Sequence, residues 1–208
     1  MRILITAGPT REPIDAVRYL GNRSSGRMGV ALAAAAREAG HTVRLLLGPV
    51  DSAVRSSVPP EVAVEAFATT AELESALAAH FPEADLLVMA AAVADYRPAS
   101  VVDGKLSRGD GLRLELEATP DLVAACVASR RPGQRVVAFA LEPAEGLVER
   151  AAAKLRRKGV DAIVANPLGT MENDAIDGVL LHADGRDVRP GRCDKERFAA
   201  WLVAALMN

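Results

Sequence analysis

Cysteine is nearly absent from this chain: Cys126 and Cys193 stand far apart, with no Cys-x-x-Cys pair and no Cys/His cluster near either. Neither a disulfide framework nor a zinc site is supported. Aromatic residues make up 3% of the sequence while 50% of it is hydrophobic, so the core must be small aliphatic side chains packed between helices and a sheet. Neither sign of charge dominates. With 25 basic and 27 acidic residues and a formal charge of -2, the chain lacks the net basic surface that a broad nucleic-acid footprint requires. The longest apolar run, residues 86–94, is far too short for a membrane span, and no basic-then-apolar leader opens the N-terminus. These absences predict a cytoplasmic protein with neither a nucleic-acid nor a membrane partner. Repeats, low-complexity tracts and an interdomain linker are missing too, so residues 1–208 are read as one domain.

What is present is an alternation of apolar strands and helices. Residues 2–6 read as a strand, a helix over 25–39 stops at Gly40, and strands follow at 42–47 and 62–67. A helix capped by Thr69 or Thr70 runs to about His80, then a nearly all-apolar strand covers 85–90. The rhythm resumes with a strand at 135–139, a helix at 144–158 ended by Gly159, and a strand at 161–165. Such a pattern predicts an α/β fold, a mostly parallel sheet with helices on both faces. Two segments depart from it. Residues 112–117 alternate strictly, which implies one wet face in an edge strand or a projecting ribbon, and 96–110 form a long loop. Residues 178–182 and Val188 flank an Asp184-Gly185 hairpin turn, and a helix over 193–207 closes the chain.

The first strand leads to a helix entrance at Ser24-Ser25-Gly26, where unpaired amide N–H groups and the helix dipole favour anions. The glycine spacing is a poor fit to a nicotinamide-binding turn. Gly8 stands alone, and Gly21, Gly26 and Gly29 follow an excursion carrying Arg11, Glu12, Asp15, Arg18, Asn22 and Arg23. That charge suits either a solvated loop or one that contacts a polar ligand. After Met89, small residues at the end of the fourth strand let a ligand reach the backbone, and Asp95 can bind a ribose hydroxyl or a metal, or cap a turn. Thr119-Pro120-Asp121-Leu122 reads as a strong helix start, with Thr119 as cap and Pro120 first in the helix. Lys154 and Lys158 share a helix face near its C-terminus, where cations are favoured in any case. Lys105 is a solvated charge or a lid residue that closes on a polyphosphate.

Taken in order, Gly8-Pro9-Thr10-Arg11-Glu12-Pro13-Ile14-Asp15, Arg18-Tyr19, Asn22-Arg23-Ser24-Ser25-Gly26-Arg27-Met28-Gly29, Ala91-Ala92-Val93-Ala94-Asp95-Tyr96 and Pro120-Asp121-Leu122 resemble one family. It is the phosphopantothenoylcysteine synthetases, or phosphopantothenate–cysteine ligases, the CoaB domain of coenzyme A biosynthesis. The resemblance covers most of residues 1–166 and fades after Asn166. It implies a modified Rossmann-like fold, a homodimer, Mg²⁺ as cofactor, and CTP as co-substrate with ATP as the alternative. The implied reaction has two steps. The carboxylate of 4′-phosphopantothenate attacks the α-phosphate of CTP, releasing pyrophosphate, and the amine of cysteine then displaces CMP from the acyl-cytidylate. Because no flavin-dependent decarboxylase precedes Met1, the resemblance also implies a stand-alone ligase with such a decarboxylase as a separate partner.

Residue by residue, Asn22 matches the asparagine that holds the acyl-cytidylate, and Met89, Ala90, Ala91 and Asp95 match the nucleotide-contacting strand end. Asp95 is also the candidate metal ligand. Lys105 matches the mobile lysine that closes over the nucleotide, and Pro120, Asp121, Leu122 and Val123 match the helix start beside it. Phe139 matches the phenylalanine next to the base, and Lys154 and Lys158 match two nucleotide-binding lysines. Ser24, Ser25 and Gly26 are candidates for phosphate or the pantothenate moiety. Two departures weaken the lid and the nucleotide preference. The family's Lys-x-Lys-Lys appears as Lys105-Leu106-Ser107-Arg108, and Gly-Phe-Ala-Ala-Glu-Thr as Ala138-Phe139-Ala140-Leu141-Glu142-Pro143. The rival readings are an NAD(P)-dependent oxidoreductase, disfavoured by the glycine spacing, and a non-catalytic nucleotide-binding relative, to which the altered lid points.

Overall fold

A run of aliphatic residues buried on both sides starts the fold: β1 (Arg2–Ala7) is buried from Ile3 onward. The computed structural model describes residues 1–109, 111–170 and 173–207. After β1 come a small hairpin of β2 (Arg11–Pro13) and β3 (Tyr19–Gly21), then α1 (Arg27–Glu38), β4 (Thr42–Leu47), α2 (Ser52–Ser56) and β5 (Ala63–Ala66). Next are α3 (Thr70–His80), β6 (Leu86–Met89), β7 (Tyr96–Pro98), β8 (Leu116–Ala118), α4 (Leu122–Ser129) and β9 (Arg135–Glu142). The chain finishes with α5 (Leu147–Lys158), β10 (Ala162–Pro167), β11 (Ala175–Ile176), β12 (Val179–His182), β13 (Asp187–Val188), β14 (Cys193–Asp194) and α6 (Lys195–Met207).

Eight strands form the main sheet in the order β13-β12-β10-β9-β6-β1-β4-β5. The six from β10 to β5 run parallel, and β12 and β13 add an antiparallel edge. From β1 the chain winds outward through β4 to β5, then returns to the other side of β1 for β6, β9 and β10. The strand order therefore reverses between β1 and β6, where open α/β sheets bind ligands beyond the carboxyl ends of their strands. Register aligns those ends: Thr6 lies beside Met89, and Met89 beside Ala138.

Alternation along β1 divides the core. Ile3 and Ile5 face the layer containing α1 and α6, while Leu4 faces the layer containing α3, α4 and α5. Helix α1 lies so close to β1 that a Cβ at Gly29 would stand 2.3 Å from the Cβ of Ala7, so only glycine fits. Among the described residues no helix is long and apolar enough to cross a membrane.

The mostly parallel sheet with helices on both faces is the architecture that the alternation of elements implies. Boundaries differ where loop chemistry wins over pattern. Helix α1 begins at Arg27 rather than residue 25, because Gly26 takes a left-handed φ of 74° and ends the loop. The capping residue of α4 is Asp121, not Thr119, so Pro120 precedes the helix. Helices α5 and α6 start at Leu147 and Lys195, later than residues 144 and 193, and Cys193 and Asp194 pair with β11 instead. The alternating stretch 112–117 yields a strand only from Leu116, paired with β7 in a ribbon outside the main sheet. Of the loop 96–110, Tyr96–Pro98 is that ribbon's other strand, and Asp110 lies outside the described residues.

Candidate functional site

Two threonines on the first strand and its loop tie the end of β6 in place. The amide of Ala91 donates to Oγ1 of Thr6 (3.1 Å), and the amide of Ala94 donates to Oγ1 of Thr10 (2.9 Å). Backbone bonds from Ala92 to Gly8 (2.9 Å) and from Thr10 to Ala92 (3.2 Å) complete the seam. Residues 89–93 thereby form a fixed floor of mostly small side chains, and a cleft of about 710 Å³ opens above it. That size accommodates a nucleotide-scale ligand.

The cleft brings together most of the residues singled out in the sequence. Asn22, Ser24, Ser25, Gly26, Met89, Ala90, Ala91, Asp95, Val123, Phe139, Lys154 and Lys158 all line it. Asn22 donates from Nδ2 to the carbonyl of Val93 (2.8 Å), which fixes its amide at the rim with Oδ1 and one N–H still to offer. Both lysines are held by carboxylates. Nζ of Lys154 lies 2.7 Å from Oε1 of Glu142, and Nζ of Lys158 lies 3.0 Å from Oδ1 of Asp121. Burial would raise the carboxyl of Asp121, but the Ala124 amide and Lys158 outweigh it and leave it below its usual value. Asp121 therefore acts as a helix cap and lysine anchor.

Four expectations are not met in this arrangement. Pro120, Asp121 and Leu122 do not line the cleft: Leu122, the first residue of α4, is buried in the core, and Thr119 bonds the carbonyls of Ala94 (2.5 Å) and Asp95 (3.0 Å) instead of capping a helix. Lys105 is exposed and stands outside the cleft as well. Its loop is pinned elsewhere, because the amide of Leu106 donates to Asp15 (3.1 Å), its carbonyl accepts from Arg18 (3.3 Å), and Gly104 accepts from Ala16 (2.9 Å). The charge of the excursion is partly structural. Buried Glu12 accepts from the amide (2.9 Å) and hydroxyl (2.7 Å) of Thr70, and Asp15 accepts from the amides of Val17 (2.8 Å) and Arg18 (2.7 Å) and from the Arg18 guanidinium.

Several lining residues were not anticipated: Arg27, Asn166, Thr170, Ile176 and Lys195. Lys195 carried a readable signal, since a lysine in the first turn of a helix opposes the dipole. Among the described residues no group of three or more His, Cys, Asp or Glu side chains gathers as a metal cage, and Asp95 is the single carboxylate lining the cleft. Among the described residues five cations, Arg23, Arg27, Lys154, Lys158 and Lys195, line the cleft against that one carboxylate, a balance that suits an anion. A Rossmann-like α/β domain with an anion-binding cleft at its switch point is the class of protein that fold and site define.

The chain belongs to the DNA/pantothenate metabolism flavoprotein C-terminal domain family, which matches residues 1–208. It is 40% identical over 220 residues to the coenzyme A biosynthesis bifunctional protein CoaBC of Mycobacterium tuberculosis strain H37Rv, covering 100% of this chain and 52% of that protein. The CoaBC of Escherichia coli K12 is 39% identical over 200 residues, covering 91% of this chain and 48% of that protein. The chain thus spans about half the length of the curated relatives it matches. Among solved structures, the C-terminal domain of a CoaBC superposes with a TM-score of 0.83 at 32% identity, covering 99% of this chain and 93% of the other.

Proposed function

We propose that residues 1–208 act as one catalytic domain that joins 4′-phosphopantothenate to cysteine at the expense of CTP. The single observation that carries this reading is the convergence of Asn22, Met89, Asp95, Phe139, Lys154 and Lys158, from four separate stretches of sequence, on one cleft at the strand-order switch. Membership in the family, with a CoaBC relative matching along the whole chain, supports this choice of reaction.

The chemistry sets an anion against an anion, and the cleft is suited to that problem. Lys154 and Lys158 offset the charge of the nucleotide while the first turn of α1 offers N–H donors. A carboxylate oxygen of phosphopantothenate bonds to the α-phosphorus as the bond to pyrophosphate breaks. The amine of cysteine then bonds to the acyl carbon, loses a proton, and CMP leaves. Asn22, oriented through Val93, donates to the acyl oxygen as negative charge grows there. Phe139 lies half-buried where a base can stack, and the exposed Asp95 faces a ribose hydroxyl or a metal. Mg²⁺ fits a site with one carboxylate, since it is commonly held by one or two carboxylates together with substrate phosphates. When bound it supplies charge neutralisation.

One observation favours a second reading, a nucleotide binder without turnover: Lys105 stands outside the cleft. The ligase reading instead has Lys105 arrive by movement of its loop or from a second copy of the chain. Exposed Leu112 (59%), Leu114 (38%) and Leu116 (43%) on and before the ribbon favour the homodimer. A separate flavin-dependent decarboxylase belongs to the same proposal. The experiment mixes protein, Mg²⁺ and 4′-phosphopantothenate with CTP or ATP and measures pyrophosphate, then CMP or AMP after adding cysteine. Pyrophosphate with CTP, followed by cysteine-dependent CMP, is the expected result; tight CTP binding without either product supports the second reading.

A further inference from the structure

Lys195 lies beyond the part of the sequence where the family resemblance is specific, yet its side chain lines the cleft at only 8% exposure. Among the described residues its ammonium has no hydrogen-bond or ion-pair partner, and no fully buried side-chain nitrogen or oxygen is left unpaired. The ammonium therefore opens on the cleft. Its surroundings do not favour a cation there. Lys195 is the first residue of α6, at the positive end of the helix dipole, and Asp194 is already spent capping that helix through the Arg197 amide (2.7 Å). Burial first, and then the positive charge of Arg27, push the Lys195 pKa down. The nearby Asp174 is taken by Arg27 at 2.5 Å, and Glu196 is the other acid whose charge it feels. A buried cation held against a helix N-terminus and another cation is costly unless an anion joins them.

Facing it is a helix end with the same need. Helix α1 has no side-chain cap and no acid in its first turn, whereas α3, α4 and α6 are capped by Thr69, Asp121 and Asp194. Arg27, Met28 and Gly29, whose amides lack intrahelical partners, line the same cleft. Helices α1 and α6 lie on one face of the sheet and α5 on the other. Lys195 and Arg27 therefore approach the carboxyl edge from the side opposite Lys154 and Lys158.

We propose that Lys195, Arg27 and the uncapped first turn of α1 form a phosphate subsite on the α1/α6 side of the cleft, separate from the Lys154/Lys158 side. The ligase reading enters only in naming which phosphate it takes, the triphosphate of CTP or the 4′-phosphate of phosphopantothenate. The subsite itself depends on charge and geometry alone.

Calorimetric titration with inorganic pyrophosphate, and separately with inorganic phosphate, tests the subsite without turnover. Lys195→Met is expected to weaken anion binding about tenfold or more, the worth of a charge-assisted hydrogen bond, with Lys195→Arg retaining most of it. Arg27→Gln, at an exposed position that cannot threaten the core, is expected to weaken binding less. In turnover, a KM raised selectively for CTP assigns the subsite to the triphosphate, and one raised for 4′-phosphopantothenate assigns it to the 4′-phosphate. Anion affinity unchanged in both Lys195→Met and Arg27→Gln, with melting temperatures near wild type, overturns the proposal, as does a wild-type protein that binds neither anion. Should Lys195→Met fail to fold, unchanged affinity in Arg27→Gln alone decides against it. If pyrophosphate binding depends on Lys195 but neither nucleotide is turned over, the ligase reading fails and the subsite stands.

Discussion

Asp15 is a carboxylate with no exposed side-chain surface, and all of its bonds point into the protein rather than the cleft. Burial would raise its pKa, but the amides of Val17, Arg18 and Leu106 and the Arg18 guanidinium outweigh that and hold it down to about 2. The folded form thus binds a proton more weakly than the unfolded chain, whose Asp titrates near 3.8. Its stabilisation is complete above that value and is lost as pH falls toward 2. Urea midpoints measured across this window should fall more steeply for wild type than for Asp15→Asn, which starts lower at neutral pH. Asn22 belongs to the chemistry instead. Asn22→Asp removes the donor to Val93 and sets a negative charge beside the developing oxyanion, so kcat should drop by about 10²–10³ while CTP affinity measured by calorimetry survives. Both residues sat in one polar excursion of the sequence. Charge there was legible, but which charges turn inward depended on partners as distant as Thr70 and Leu106, which spacing does not reveal.

Helix α1 is positioned by what its glycines lack. At Gly29 the smallest side chain would meet Ala7, and at Gly26 a Cβ would stand 2.6 Å from Val50 Cγ1 on a backbone that already has positive φ. Gly29→Ala should push α1 off β1, lower stability by about 1–3 kcal/mol in chemical denaturation, and weaken pyrophosphate binding because the first-turn amides retreat. Loss of stability with unchanged anion affinity would detach the helix end from the site. The elements of the sheet were readable because β1, β4, β6 and β10 are apolar runs of the length a two-sided parallel strand needs. Helix starts were less so. Thr119-Pro120-Asp121 holds two good caps in three residues, and the choice of Asp121 follows from Thr119 being drawn to Ala94 and Asp95, a contact made across the fold.

Across the whole molecule, one cleft gathers side chains from both faces of the sheet, yet the lysine matched to the nucleotide lid is left outside. The strict alternation of residues 112–117 foretold a ribbon with a wet face; both of its faces are exposed, leucines included, because alternation records a buried face without naming the chain that buries it. If a second copy covers them, Leu114→Glu with Leu116→Glu should shift the sedimentation coefficient from dimer to monomer. Mixed dimers then decide how Lys105 reaches the nucleotide. Co-expression of Lys105→Gln with Asn22→Asp, each inactive alone, makes about half of all dimers mixed if assembly is random. Where each chain supplies its own Lys105, every site in a mixed dimer carries one lesion and activity stays absent. Where Lys105 crosses to the partner's cleft, one of the two sites in each mixed dimer is intact and the other carries both lesions. Activity then returns to about a quarter of wild type, the share of intact sites that random pairing produces. Pyrophosphate release from the mixture, compared with each variant expressed alone, therefore separates a loop that closes on its own cleft from one that closes on its neighbour's.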